Sequence, residues 1–374
     1  MNELERFLAV MEYKPIDRVP NHELGVWSQT VVRWAEEGMP PNTLFFDWFV
    51  GEDYLKLDRR EYVPMNLDMI PPFKAEILEE TEEYQVIRHA NGVVTRALKE
   101  GTINGGRSCM DTYISFAVEK PEDFEDLKKR FVPGIPERYQ PNWKEELLPR
   151  WKTRQHPLVL GRNCAPGGFY WRAREWMGTE NLSLAWYDYP EMMTEMMEFY
   201  ADFTIESLKP ILAETDVEYF NFNEDFAMKS GPLLGPDTLK KFIFKPMKRL
   251  IEFLKSNGVR YVGLDSDGAP EPLVPLLMDA GVDILWPLER ASEGVDPMRY
   301  RKKFGKGLRL MGGVDKRELM KDHAAIDAHL KSLIPMVEDG GFIPTIDHCA
   351  SPDISWDNFM YYMEVKRKLL DGTL

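Results

Sequence analysis

From residue 157 onward the sequence repeats a two-part rhythm that few folds can satisfy. Short apolar runs at 157–161, 217–222, 259–264, 282–287, 308–312 and 342–346 each give way to a longer segment. Helical character marks 182–215, 236–257, 270–280, 297–304 and 317–339, and a closing helix covers 356–370. A run apolar at successive positions reads as a strand covered on both faces. Strands alternating with helices predict a parallel sheet with helices outside it. These units, with early strands added, make eight, so the expected fold class is α/β, a (β/α)8 barrel of the TIM type. An open doubly wound sheet would share the rhythm. No GxGxxG follows any of the runs, which weighs against a dinucleotide-binding sheet.

Before residue 157 the pattern is irregular. A helix is expected from Glu3 to about Tyr13, a strand near 21–24, and a helix at 29–37 stopped by Gly38, Pro40 and Pro41. The stretch 84–99 alternates polar and apolar residues around Asn91-Gly92, a hairpin signal. A hairpin has no place in a β/α rhythm and is read as an insertion. Residues 1–374 are therefore expected to form one barrel domain, with roughly 40–150 as decoration.

Composition excludes several function classes. Hydrophobic residues make up 44% of the chain and charged residues 29%, with no apolar run of membrane-spanning length. The charged start, Met1 to Arg6, lacks a signal-peptide pattern, so a cytoplasmic protein is expected. Cys109, Cys164 and Cys349 form no CxxC pair. A net charge of −15 makes nucleic acid a poor partner.

In a β/α barrel the chemistry sits where strands end and helices begin. Those positions carry Arg162-Asn163-Cys164, Asn223-Glu224-Asp225, Asp265-Ser266-Asp267-Gly268, Glu289-Arg290, Gly312-Gly313-Val314-Asp315 and Asp347-His348-Cys349. Asp315 suits a helix N-cap. The doubled carboxylates and the Asp347-His348 pair are less well explained by loop polarity. Asp265, Asp267, His348 and Glu289 are the candidate catalytic residues. Asp265 and Asp267 with His348 would make a two-carboxylate, one-imidazole metal site. Without a metal, the close carboxylates would share a proton. Glu224, Asp225, Arg162 and Asp347 are candidate substrate contacts. Trp27, Trp48, Phe169, Tyr170, Trp171 and Trp286 could wall a pocket for a ring. His323 and His329 fall in a helical segment and are expected at the surface.

Arg6-Phe7-Leu8-Ala9 followed by Asp17-Arg18-Val19-Pro20 resembles the opening of uroporphyrinogen decarboxylase-like proteins. Gly312-Gly313-Val314-Asp315-Lys316 is similar to their late glycine-containing strand end. Gly340 to Pro344, Asp347-His348-Cys349 and Trp356-Asp357-Asn358 resemble their last strand, loop and helix start. Glu224 to Lys229 and Asp265 to Gly268 resemble the methyltransferase-like branch. The resemblance implies a β/α barrel and one of two chemistries: decarboxylation of a uroporphyrinogen, or methyl transfer to or from a corrinoid.

The departures narrow this. Decarboxylases of the family carry an Arg-Gln-Ala-Gly-Arg signature where this chain has Glu23-Leu24-Gly25-Val26-Trp27-Ser28. A mouth lined by acids would also repel a substrate bearing eight carboxylates. Zinc methyltransferases of the family place a His-x-Cys where Asp265 and Asp267 stand, and a cysteine where His348 stands. Zinc, held by carboxylates and an imidazole, remains the ion the resemblance implies. The expected function is a methyltransferase taking a methyl group from a small methylated compound, such as a methoxylated aromatic, to a corrinoid on a partner protein. The alternatives are a decarboxylase of a smaller acid, using Arg162, Arg172 or Lys229, and a non-catalytic tetrapyrrole- or corrinoid-binding module. The family also implies a homodimer.

Overall fold

The computed structural model describes residues 1–41, 43, 54–103, 106–107, 110–161 and 167–374. Seven parallel strands pair in chain order: β1 (Glu61–Tyr62), β2 (Leu158–Gly161), β3 (Tyr219–Asn223), β4 (Tyr261–Asp265), β5 (Ile284–Leu288), β6 (Arg309–Val314) and β7 (Phe342–Ile346). The eighth stave is the segment 21–26. Val26 bridges Ala350 in parallel. The Ala350 amide donates to the Gly25 carbonyl at 2.9 Å, and the Asp58 amide donates to the Asn21 carbonyl at 2.8 Å. The sheet thus curls into a TIM-type barrel, as the rhythm predicts.

The eighth stave is not a regular strand for a local reason. Gly25 sits at φ 123°, outside extended backbone. Midway along the seam, the Glu23 carboxylate accepts from the Ile346 amide at 3.1 Å, where a ladder would offer a carbonyl. Glu23 is held in turn by Tyr362 at 2.5 Å and by the Lys366 ammonium, both on the closing helix Trp356–Leu370.

Two apolar layers hold the barrel. Inside it, Val159, Tyr219, Tyr261, Ile284, Trp286, Met311 and Ile343 pack together, and the helix Glu3–Met11 adds Phe7, Val10 and Met11 to them. That helix is fixed by a capping box between Asn2 and Glu5. Outside, the helices bury a larger cluster against the sheet.

The hairpin is present, with Tyr84–Arg88 and Val94–Leu98 paired antiparallel. It belongs to a four-stranded sheet whose outer strands, Glu76–Glu80 and Thr112–Ser115, carry mostly exposed residues and give little sequence signal. The expected helix 182–215 divides at Pro190 into Thr179–Asp188 and Pro190–Leu212. The expected helix 317–339 divides into Lys316–Leu319, His323–Ser332 and Ile334–Asp339. His329 departs from its expected surface position. It is half-buried, and its Nε2 accepts the Asp315 amide at 2.9 Å. Burial lowers its pKa, helped by the Arg290 charge. No helix among the described residues is long and apolar enough to cross a membrane.

Candidate functional site

Register decides which acids meet. Asn223 at the end of β3 pairs with Asp265 at the end of β4, so the residues just beyond share one stretch of rim. The Glu224 amide then donates to the Asp265 carbonyl at 2.8 Å. Asp225 takes φ 41°, a turn that Asp tolerates better than most side chains. On the other side, Gly268 takes φ 79°. A Cβ there would lie 2.6 Å from the Ala227 and Met228 carbonyl oxygens. This tight turn carries Asp267 back over the rim. Asp225, Asp265 and Asp267 thereby bring carboxylate oxygens within 4.8 Å of one another. Asp265 is buried, and the other two are partly exposed.

His348 enters from the end of β7. Its Nε2 lies 3.2 Å from Asp267 Oδ2. Its Nδ1 is buried with no partner among the described residues. Burial alone would lower its pKa, but the hydrogen bond and charge of Asp267 outweigh burial and the opposing Lys316, so the pKa is raised. Trp27 stands edge-on to the imidazole, ring centres 6.4 Å apart, and is 44% exposed. Glu289 accepts from the Gly268 amide at 3.0 Å and from Ser292 Oγ at 3.2 Å. Lys316 Nζ lies 3.8 Å from Glu289.

Two of the rim acids are turned into the protein. Asp347 is fully buried, accepting from the Arg290 amide at 2.8 Å and the Lys316 amide at 3.2 Å. Burial pushes its pKa up to about 6, against the pull of Lys316 and those amides. Glu224 is also fully buried. It accepts from the Phe169, Tyr170 and Trp171 amides at 2.9, 2.8 and 3.4 Å, closing the N-terminus of the helix Phe169–Met177. Burial raises its pKa to about 7, although three amides draw it back. Gly168 makes room for this carboxylate, since a Cβ there would lie 1.9 Å from Glu224 Cδ. Gly168→Ala is expected to cost about 1–3 kcal/mol in chemical unfolding. An unchanged midpoint would show that the helix start can shift at no cost.

The aromatic residues named for a ring pocket are not gathered in one place. Trp286 lies inside the barrel, its indole donating to Asn221 Oδ1 at 2.6 Å. Phe169 and Tyr170 are buried under the start of their helix. Trp171 is partly exposed, with the Arg174 guanidinium 4.5 Å from its ring centre. Arg162, Asn163, Cys164, Cys109 and Trp48 lie outside the described residues. Arg172 is buried and bonded to Asp68 at 2.6 Å and Glu175 at 2.8 Å, while Lys229 is exposed.

Three residues of interest carried a weaker sequence signal. Asn221 is a polar residue in the middle of an apolar strand. Its Oδ1 accepts from Trp286 and, at 2.8 Å, from Tyr219. Its Nδ2 is buried without a partner among the described residues. Lys316 follows an N-cap aspartate and reads as an ordinary first-turn residue. Arg174 contacts Asp225, accepted by its carbonyl at 3.0 Å and lying 3.7 Å from its carboxylate.

A solved structure described as a methyltransferase from Methanosarcina mazei is 14% identical, covers 98% of each chain and superposes with a TM-score of 0.60. At that identity the likeness is one of fold. A B12-independent methionine synthase from Shewanella sp. W3-18-1, solved with selenomethionine, is 15% identical over 63% of this chain and 69% of its own. Its TM-score of 0.40 adds nothing to the assignment. No curated protein matches. A family model described as uroporphyrinogen decarboxylase (URO-D) matches residues 173–369. That span holds β3 to β7 and every rim acid described above. With more than half of its length matched, and on a barrel of this kind, the chain belongs to the uroporphyrinogen decarboxylase family.

Proposed function

We propose that this chain is an enzyme, a methyltransferase that moves a methyl group from a small methoxylated aromatic to a corrinoid on a partner protein. The observation that carries the reading is the Asp267–His348 pair at the barrel rim, 3.2 Å apart, with the imidazole pKa raised. Breaking a methyl–oxygen bond leaves an electron pair on oxygen, which needs a proton as the bond breaks. A protonated His348 supplies it, and the Asp267 carboxylate holds the ring in place and stabilises its charge. The methyl carbon passes to the external nucleophile, and the phenol leaves. The methyltransferase fold of the Methanosarcina mazei structure supports this reading. So does Arg172, a cation that decarboxylation would call on, being buried against Asp68 and Glu175.

As an alternative to the proton from His348, the acid cluster fits a metal of a particular kind. Asp225, Asp265 and Asp267 offer only oxygen donors, a set that suits a hard divalent cation better than zinc. Such a cation would polarise the leaving oxygen as a Lewis acid. Mn²⁺ titrated into the metal-free protein should bind, and Asp265→Asn should weaken binding by at least ~10-fold. Equal Mn²⁺ binding by the variant would remove the cluster from consideration.

The reading is tested by incubating the protein with a panel of methoxybenzenes and a reduced corrinoid and measuring phenol release. No release across the panel, with the corrinoid shown to be active, would count against it.

A further inference from the structure

Beside the rim, an open cleft of about 960 Å³ lies between the four-stranded sheet and the helix Phe169–Met177. The helix presents Trp171, Arg174 and Glu175 to it, the spacing of one helical face, and its C-cap Gly178 continues that line. The opposite wall brings Met110, Tyr113 and Phe116. Met110 is 84% exposed and Tyr113 53%. Tyr113 stacks on Phe116, ring centres 5.5 Å apart and 13° from parallel. Gly178 lets Phe116 approach the helix, since a Cβ there would lie 2.3 Å from its ring. These are apolar surfaces that the described residues leave uncovered. The cleft is of the size that takes small organic ligands.

Arg174 is the arginine of a lining that also carries Asp111, Glu119, Glu175 and Glu180. Its guanidinium lies over the Trp171 ring, 4.5 Å from the ring centre. Among the described residues its hydrogen bond and its ion pair both run to Asp225. A guanidinium has five N–H donors, so several remain for an acceptor in the cleft. Glu175 is paired with Arg172 at 2.8 Å, and burial pushes its carboxyl up. Glu119 and Glu180, also on the cleft, are exposed, where salt screens them. Asp111 remains as an opposing charge in the lining. A preorganised arginine fork on an aromatic face favours a planar carboxylate over a compact cation.

We propose that this cleft is a binding site for an aromatic carboxylate, its ring against Tyr113 and Trp171 and its carboxylate on Arg174. The site goes beyond the methyl-transfer reading and is read by binding alone. The occupied site also reaches the rim, because a carboxylate on Arg174 competes with Asp225 for the same guanidinium.

Calorimetric titration of the full chain with 2-naphthoate, 2-naphthamide and 2-naphthylmethylammonium tests it. Naphthoate should bind once per chain, and the ammonium at least ~10-fold more weakly. Arg174→Gln should weaken naphthoate ~10-fold or more while leaving the amide within about twofold. Should Arg174→Gln fail to fold, Arg174→Lys keeps the charge and loses the fork, and it should still weaken naphthoate. Tyr113→Ala, on an exposed strand, should weaken naphthoate and naphthamide alike. No binding of naphthoate, tighter binding of the ammonium, or unchanged naphthoate affinity in the Arg174 and Tyr113 variants would overturn the proposal.

Discussion

Replacing His348 by alanine is expected to lower turnover by about 10²–10⁴-fold, the range for loss of a positioned general acid. At a pH above the folded His348 pKa the unfolding midpoint should barely move, because the imidazole is at the rim and its one described polar partner is the partly exposed Asp267. The pH profile carries the sharper information. A general acid works while protonated, so the rate should be full below the His348 pKa and fall as pH rises through it. That pKa is raised chiefly by Asp267, against the opposing effect of burial. Asp267→Asn removes the carboxylate and should move the falling limb to lower pH. The same linkage acts on stability. The Asp267 contact stabilises the fold below the unfolded histidine pKa, and that contribution is lost as pH rises through the raised folded value. A limb that stays in place in Asp267→Asn, or turnover in His348→Ala within about threefold of the parent, would assign the proton to another group.

Lys366→Ala is expected to produce the largest loss of stability, about 3–5 kcal/mol in denaturant unfolding. Lys366 and Glu23 are both buried, and the ammonium bonds the Glu23 carboxylate and, at 2.5 Å, the His22 carbonyl. Removing the ammonium leaves a buried carboxylate with Tyr362 and the Ile346 amide as its remaining described partners. Removing both charges is a different experiment. Glu23→Leu with Lys366→Met should recover much of the loss, since neither charge then remains to be desolvated. A single-variant loss under about 1 kcal/mol would mean that water reaches the pair.

The strands β2 to β7 were legible because each is a short, mainly apolar run set between helical segments, and their observed limits fall within a few residues of those runs. β1 was not. It is two residues, Glu61 and Tyr62, and no apolar run marks it. Glu61 is buried there because Arg150, Trp151 and His156, some ninety residues later, all bond its carboxylate. Nothing local announces that.

At the rim, position after a strand was enough to single out Asp265, Asp267 and His348. The direction of neighbouring acids was not. Glu224 and Asp225 are adjacent and chemically alike, yet one turns inward to three amides and the other stays beside Asp265 and Asp267. The choice depends on the vacant side of Gly168 and on the positive φ of Asp225, both consequences of the assembled fold. Arg174 escaped notice for a similar reason: its partner lies on a different barrel unit.

The irregular eighth stave has a kinetic consequence. Its closing contacts join residues 21–26 to the last strand and the final helix, separated by more than three hundred positions. Contacts so distant carry the largest loop-closure cost and form late. β2 to β7 can assemble from neighbours in sequence, whereas the cylinder stays an open sheet until both ends of the chain arrive. During that interval the free edges of β1 and β7 face outward, unpaired and prone to misjoining. Hydrogen exchange during refolding should therefore protect the amides of β3 and β4 before those of Ile346 and Ala350.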